Sequence, residues 1–365
     1  MEIIISHDSA LAYWRLHGNT NIADLVRQRR KSLQACLPNH TFIKEAATYG
    51  LSHPIDVLVG SYNARRKSEI VRSRMYTGPT PKGCFVKISD ELTVCAPQFC
   101  FYQMADELPL VKLIELGFEL CGTYSLAAGI RHDSTEDRSS ESKDALFENS
   151  HITEHSNSDD NSYEAEDVLF EYSYESEGNP ESVDKTLYGH PPLTSVKEIK
   201  AFIAHMKGVS GQKKSKRALN YIADGSASPM ETILSMLLTL PQKLGGYGLP
   251  APEMNKRIDV GSRTKTQSKK AYYICDLYWP KAKLAVEYDS DSYHTGTDRI
   301  ASDSAKRLDL DALGINVITL TSRQIRNPAV FESITKLIAK KLGKRLRFTN
   351  PQFKAVNRKL RDMLL

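Results

Sequence analysis

A chain of 365 residues is long enough to bury two cores, and its 41% hydrophobic and 25% charged residues are those of a globular protein. No apolar run reaches the ~20 residues of a membrane span, and no basic stretch leads into an apolar one at Met1, so neither a membrane anchor nor a signal peptide is expected. The net charge of +5 conceals an uneven distribution: residues 131–190 hold 17 Asp and Glu against 4 Lys and Arg, leaving 45 basic against 27 acidic residues elsewhere.

That basic excess suits a polyanionic partner, although ordinary solvated lysine and arginine would give the same count. The six cysteines, at 36, 84, 95, 100, 121 and 275, form no Cys-x-x-Cys pair and no Cys/His cluster. They read as reduced, buried thiols of a cytoplasmic protein.

In chain order, residues 1–130 read as a small α+β domain. Ser6 or Asp8 can cap a helix over ALAYWRL. A strand follows at His53–Gly60. Arg65, Arg66, Lys67, Arg72 and Arg74 make a basic cluster with little acid nearby. Two short strands, Cys84–Ile88 and Leu92–Cys95, form a hairpin, and Pro97–Leu116 reads as one helix. Residues 131–187 are rich in Ser, Asp, Glu and Asn and read as an acidic disordered linker, either a solubilising spacer or a mimic of nucleic acid over a basic face.

Residues 188–225 read as a helical connector. Thr194 can cap its first helix, and Lys213, Lys214, Lys216 and Arg217 lead into a second at Ala218–Ala223. Ser228-Pro229-Met230-Glu231 has the spacing of a capping box with Pro at the first helical position. Beyond it come strands at Arg257–Val260, Tyr272–Trp279 and Leu284–Asp289. A helix at Ala301–Leu313 stopped by Gly314, a strand at Ile315–Leu320 and a helix at Pro328–Leu342 complete the order. From Arg323 to Leu365 there are 12 basic and 2 acidic residues, the last part (346–365) being a basic tail.

The paired strands carry acids where apolar residues are usual. With Lys281-Ala282 as the turn, Trp279 pairs with Leu284 and Asp276 faces Glu287, their Cβ atoms roughly 5 Å apart. Glu287 and Asp289 share a face because side chains alternate along a strand. Opposed like charges repel, and a hard cation such as Mg²⁺ would relieve them. The alternative is that one acid faces solvent or pairs with Lys281, Lys283 or Arg257.

An acid on one strand, Glu287-Tyr288-Asp289 on the next, and Asp303, Lys306, Leu310 and Gly314 on the following helix together resemble the PD-(D/E)XK nuclease superfamily. Within it, the likeness is to the very-short-patch-repair-endonuclease-like domain, over about residues 225–345. The sequence departs from that pattern at Ser290, where the group has Gly, and at His294, which lies one residue late. The resemblance implies an α/β fold with a restriction-endonuclease-like αβββαβ core at 226–345, and a Mg²⁺-dependent (or Mn²⁺-dependent) endonuclease acting on DNA.

By the same resemblance, Asp276, Glu287 and Asp289 would hold the metal. Glu231 would serve a second metal or only its capping box. His294 would be a general base, a phosphate contact or an ordinary surface His. Lys306 would stabilise the transition-state phosphate or remain a solvated helix lysine, and Asp303 would cap its helix or join the site. Lys213, Lys214, Lys216, Arg217, Arg299 and Arg307 are the candidate DNA contacts. The order of elements in residues 1–130 is similar to abortive-infection-type (AbiEi-like) antitoxin domains. This implies a second reading, a DNA-binding regulator whose nuclease fold is weakened or inactive, with a partner protein engaged through the N-terminal domain. No small-molecule ligand is expected.

Overall fold

The computed structural model describes residues 3–18, 26–28, 33, 48–65, 68–90, 92–127, 186–260, 270–289, 297–349 and 351–365. Residues 131–185 of the expected acidic linker, and Arg66, Lys67, Cys36, Ser290 and His294, lie outside the described residues. The fold is mixed α/β, with ten helices and twelve strands among the described residues. None of these helices is long and apolar enough to cross a membrane.

The first sheet has six strands: β1 (Ile3–Ile5), β2 (Val26–Gln28), β3 (Ile55–Val59), β4 (Val71–Met75), β5 (Phe85–Lys87) and β6 (Leu92–Cys95), in the spatial order β2-β5-β6-β1-β3-β4. β1–β6 and β3–β4 are parallel pairs and the others antiparallel. β1 and β3 are buried at every position, the pattern of strands covered on both faces. Helix α1 (His7–Leu16) follows β1 directly and packs on β3, β6 and α2 (Pro97–Glu107).

The single helix expected at Pro97–Leu116 is two. α2 ends at Glu107 and α3 runs over Leu110–Leu120, because Pro109 offers no N–H and forces Leu108 into an extended conformation (ψ 144°). The basic cluster also has acid close by. Arg72 and Arg74 both reach the fully buried carboxylate of Asp56, and Arg74 pairs with Glu107. These cations lie within one chain yet far apart in sequence from their acids, which is why the local sequence does not show the pairing.

A two-stranded ladder, β7 (Tyr124–Ser125) with β8 (Leu187–Tyr188), brackets the undescribed segment. α4 (Val196–Ala204) is capped by Ser195, whose Oγ accepts from the Glu198 N–H, and not by Thr194, whose hydroxyl donates to the Glu198 carboxylate. The basic run is itself helical: α5 covers Gln212–Ala218, and Ala218–Ala223 is not a helix. Gly211, in the left-handed region at φ 81°, sets the entry to α5.

α6 (Pro229–Thr239) then leads to a four-stranded sheet of β9 (Glu253–Asp259), β10 (Tyr272–Trp279), β11 (Leu284–Asp289) and β12 (Asn316–Thr321), ordered β12-β11-β10-β9. α7 (Thr297–Ala312) connects the parallel pair β11 and β12. The chain closes with α8 (Ser322–Arg326), α9 (Pro328–Lys341) and α10 (Phe353–Leu364).

The two faces of this sheet are covered differently. Leu277, Trp279, Leu284 and Val286 belong to the main core, where α6 packs on β10 and β11. Tyr273, Cys275, Tyr278 and Ala285 form a second, smaller core with Leu310 of α7 and Ile315. The hairpin that carries the acids is thus held between two helices, and each helix delivers a charged side chain to it. Residues 1–134 and 183–365 make one compact unit, and the main core runs from Ile3 to Leu364.

Candidate active site

β10 and β11 pair antiparallel with Leu277 opposite Val286, Tyr278 opposite Ala285 and Trp279 opposite Leu284. One step further in that register would set Asp276 across from Glu287, but the pairing stops at Leu277. The connection is longer than two residues: Pro280–Ala282 form a 3-10 turn and Lys283 takes a left-handed conformation (φ 46°). Lys283 pays little for that conformation, because its Nζ donates to the Leu313 carbonyl and its N–H to Pro280.

Both ladders lapse at Asp276. On one side its carboxylate Oδ2 accepts the main-chain N–H of Tyr288 at 2.8 Å, in place of a strand-to-strand bond. On the other, β9 pairs Lys256 with Cys275 and Met254 with Leu277, skipping Asn255, which stands at φ 44°. The side-chain phase changes there. Tyr273 and Cys275 face the small core, whereas Leu277 and Trp279 face the main one. Asp276 sits at the crossing, half-buried between the two strands.

Three charged side chains surround it. Glu231 on α6 is 8% exposed, and its carboxylate accepts from Ser228 Oγ and the Ala227 N–H, both at 2.9 Å, and from Asn255 Nδ2. Half of the expected capping box forms: Ser228 Oγ accepts the Glu231 N–H, whereas the Glu231 carboxylate takes the main-chain N–H of Ala227 and not that of Ser228. Glu287 on β11 pairs with Lys306 of α7 at 2.6 Å, and Lys306 Nζ also donates to the Ile274 carbonyl at 2.9 Å. Burial is the first cause pushing Asp276 up to about 7, and the Glu231 charge is the second. The Tyr288 N–H pulls it back, Glu287 adds to the rise and Lys306 opposes it. Burial, with Glu287 next, also pushes the neighbouring Cys275 thiol up to about 12, so it is no nucleophile at neutral pH.

No protein family, curated protein or solved structure matches this chain. What the site can do therefore rests on its own chemistry.

Among the described residues, no three His, Cys, Asp or Glu side chains are grouped so as to hold a metal ion. The expected trio is separated. Asp289 lies at the end of β11 opposite Thr321 of β12, Glu287 is held toward α7 by Lys306, and Asp276 has Glu231 as its stronger carboxylate neighbour. Even so, the donor chemistry of Asp276 and Glu287 fits a hard cation. A half-buried carboxylate made reluctant to ionise by its burial, and then by Glu231 and Glu287, is one that a divalent ion would relieve. Mg²⁺ commonly takes only one or two protein carboxylates and fills its remaining positions with water or phosphate oxygen.

The other expected residues fall as follows. Asp303 is exposed and lies inside α7, too far along to cap it. Leu310 is fully buried, and Gly314 takes φ 74° to end the helix. Arg307 is exposed and donates to Thr319 Oγ1 at 3.3 Å. Arg299 falls within α7, and its side chain lies outside the described residues. Lys213, Lys216 and Arg217 are exposed on α5, whereas Lys214 is tied to the Leu108 carbonyl at 3.0 Å. α5 packs on α2, α3 and α4.

The sequence reading missed Asn255. The signal available was Asn inside an otherwise strand-like run, since Asn is one of the few residues that visit the left-handed region. Nothing local shows that its amide would reach Glu231, 24 positions away.

Proposed function

We propose that the protein is a metal-dependent endonuclease that hydrolyses DNA phosphodiester bonds. The observation that carries this reading is the Asp276–Glu287 pair. The Asp276 carboxyl is close enough to Glu287 on the neighbouring strand and to Glu231 on α6 for both charges to oppose its ionisation, and Lys306 is brought to Glu287 from α7. The order α6, three strands, α7, β12 agrees with what the sequence resemblance leads one to expect, and the basic excess outside residues 131–190 supports a polyanionic substrate.

Asp276 and Glu287 would hold the Mg²⁺. When bound, the ion supplies Lewis-acid stabilisation of the phosphate and a more acidic water. Asp276 has to lose its proton to bind it, so the pH at which it ionises sets the lower edge of activity. Lys306 is positioned to offset phosphate charge once Glu287 turns to the metal. Glu231, fixed by Ser228, Ala227 and Asn255, keeps negative charge beside Asp276 and raises the demand for a cation there.

A plasmid-nicking assay with Mg²⁺, Mn²⁺ or chelator tests the reading. Nicking is expected with either metal and not with chelator, rising with pH through about 7, and falling by on the order of 100-fold or more in Asp276→Asn and Glu287→Gln. Unaltered nicking in either variant would overturn the assignment.

One observation favours a second reading, a DNA-binding regulator without cleavage: Lys306 already neutralises Glu287 at 2.6 Å. DNA binding that is equal in Mg²⁺ and in chelator, with no nicking, would select it.

A further inference from the structure

A cavity of about 630 Å³ lies between α10 and the stretch from Arg326, at the end of α8, to Glu332, in the first turns of α9. The amphipathic sequence of α10 creates it. Phe353, Asn357, Leu360, Arg361 and Leu364 share the buried face at helical spacing. Asn357 Nδ2 docks that face by donating to the Gly245 carbonyl at 2.7 Å. Gly245 has to be glycine, because a Cβ there would stand 2.6 Å from the Val356 carbonyl oxygen and its φ is 94°.

Most residues on that face are apolar, as packing requires, and Arg361 is the anomaly. It is 5% exposed, and its guanidinium lies 5.5 Å from the centre of the Phe331 ring. Its Nη2 donates to the Ile325 carbonyl, and its Nη1 has no hydrogen-bond partner. A buried cation short of acceptors is unfavourable unless something supplies them. The cavity beside it is lined by three more cations, Arg326, Lys354 and Arg358, against two carboxylates, Glu332 and Asp362. Among the lining side chains the cations thus outnumber the carboxylates by two. Arg326 is partly committed, since it donates to the Leu365 main-chain oxygen at 2.7 Å.

We propose that this cavity binds a phosphate monoester of mononucleotide size, its dianionic phosphate taken by Arg361, Arg358 and Lys354. Guanidinium groups present paired N–H donors that suit a tetrahedral oxyanion. The volume falls within the ~300–1,000 Å³ of small-ligand sites. Burial lowers the proton affinity of Arg361, and an anion in the cavity would restore it. The monoester can come from a free nucleotide or from the 5′ end of a nucleic-acid strand. The site shares no residue with Asp276, Glu287 or Lys306, so it stands or falls separately from the hydrolytic reading.

Titration calorimetry of the full chain tests this with adenosine 5′-monophosphate, adenosine, and one oligonucleotide bearing either a 5′-phosphate or a 5′-hydroxyl. The nucleotide is expected to bind and adenosine not. Lys354→Gln and Arg358→Gln, both exposed positions, should each weaken binding about tenfold at unchanged melting temperature. Arg361→Lys should weaken it further, while Asp276→Asn should bind as the parent does. Competition by the 5′-phosphorylated strand alone would identify a strand end as the source, and no competition by either strand a free nucleotide. Equal binding of adenosine and its monophosphate, no binding of either up to millimolar concentration, or unchanged affinity in the Lys354 and Arg358 variants would overturn the proposal.

Discussion

Asp276 is a residue whose folded environment works against its charge, and that has a measurable sign. Its carboxyl is raised from 3.8 to about 7, so the folded chain holds the proton more tightly than the unfolded one. The stability it contributes is fully present below pH 3.8 and lost as pH rises through about 7. In chelator, Asp276→Asn is therefore expected to melt above the parent at pH 8, with the gap closing toward pH 4, as thermal scans across pH would show. The Asn side-chain oxygen can still accept the Tyr288 N–H, so a variant that melts lower at pH 8 would contradict the account.

His7 behaves in the opposite direction. It occupies the left-handed region at φ 49°, its Nδ1 lies 3.0 Å from Ser6 Oγ, and its N–H donates to Gln103. Burial first, then Arg74 and Arg72, lowers it from 6.5 to about 3, with Glu107, Asp8 and Asp56 as the nearby acids. The 3.9 Å approach of His7 to Glu107 is accordingly not an ion pair at neutral pH. The unfolded chain takes up this proton at 6.5 and the folded chain does not until about 3, so stability falls as pH drops through that window. His7→Asn, which tolerates the same backbone conformation, is expected to flatten the urea-derived stability between pH 6.5 and 4.

At the scale of elements, the acid-bearing hairpin was legible because its pairing depends on strand lengths and on Trp279 meeting Leu284, both visible in the sequence. Its turn was not, since a left-handed Lys283 depends on the Leu313 carbonyl reached from another element. Pro109 marks the break between α2 and α3 once its missing N–H is weighed against the continuing apolar period. The ion pair of Lys306 with Glu287 was hidden for a general reason. Helix spacing says which face of α7 Lys306 occupies but not how high α7 sits on the sheet.

Asn255 ties these elements together by serving two ends at once: its backbone breaks the β9 ladder beside Asp276, and its amide holds Glu231. The two roles separate by substitution. Asn255→Gly keeps the backbone freedom and loses the amide, whereas Asn255→Ala loses both. The alanine variant is expected to cost roughly 1–3 kcal/mol in urea denaturation, and the glycine variant about 1 kcal/mol less. Equal costs would mean that the conformation of Asn255 is not under strain.

At the scale of the whole molecule, the contacts between the regions on either side of residues 128–185 decide how the chain unfolds. The Thr123 N–H donates to the Ser226 carbonyl and the Gly225 N–H to Cys121. Tyr124 Oη and Ser226 Oγ both bond the fully buried Thr232 Oγ1, at 3.0 and 2.8 Å. The sequence shows two folded regions because the acidic stretch separates them along the chain. It does not show that α3 packs against α6 and that one core serves both.

A shared core predicts a single calorimetric transition for the described unit, and Gly117 gives access to it. A Cβ at Gly117 would stand 2.2 Å from Ile222 Cδ1 and 3.1 Å from Phe101 Cε2. Gly117→Ala should therefore overpack the junction and cost about 1–3 kcal/mol. Ile222→Ala makes room for the added methyl, so the double variant should be more stable than the sum of the two single losses implies. In every one of these proteins the heat-capacity trace should keep one peak. A trace that splits in Gly117→Ala, with one half melting as in the parent, would show that the two regions fold independently and that the junction is only a contact between finished domains.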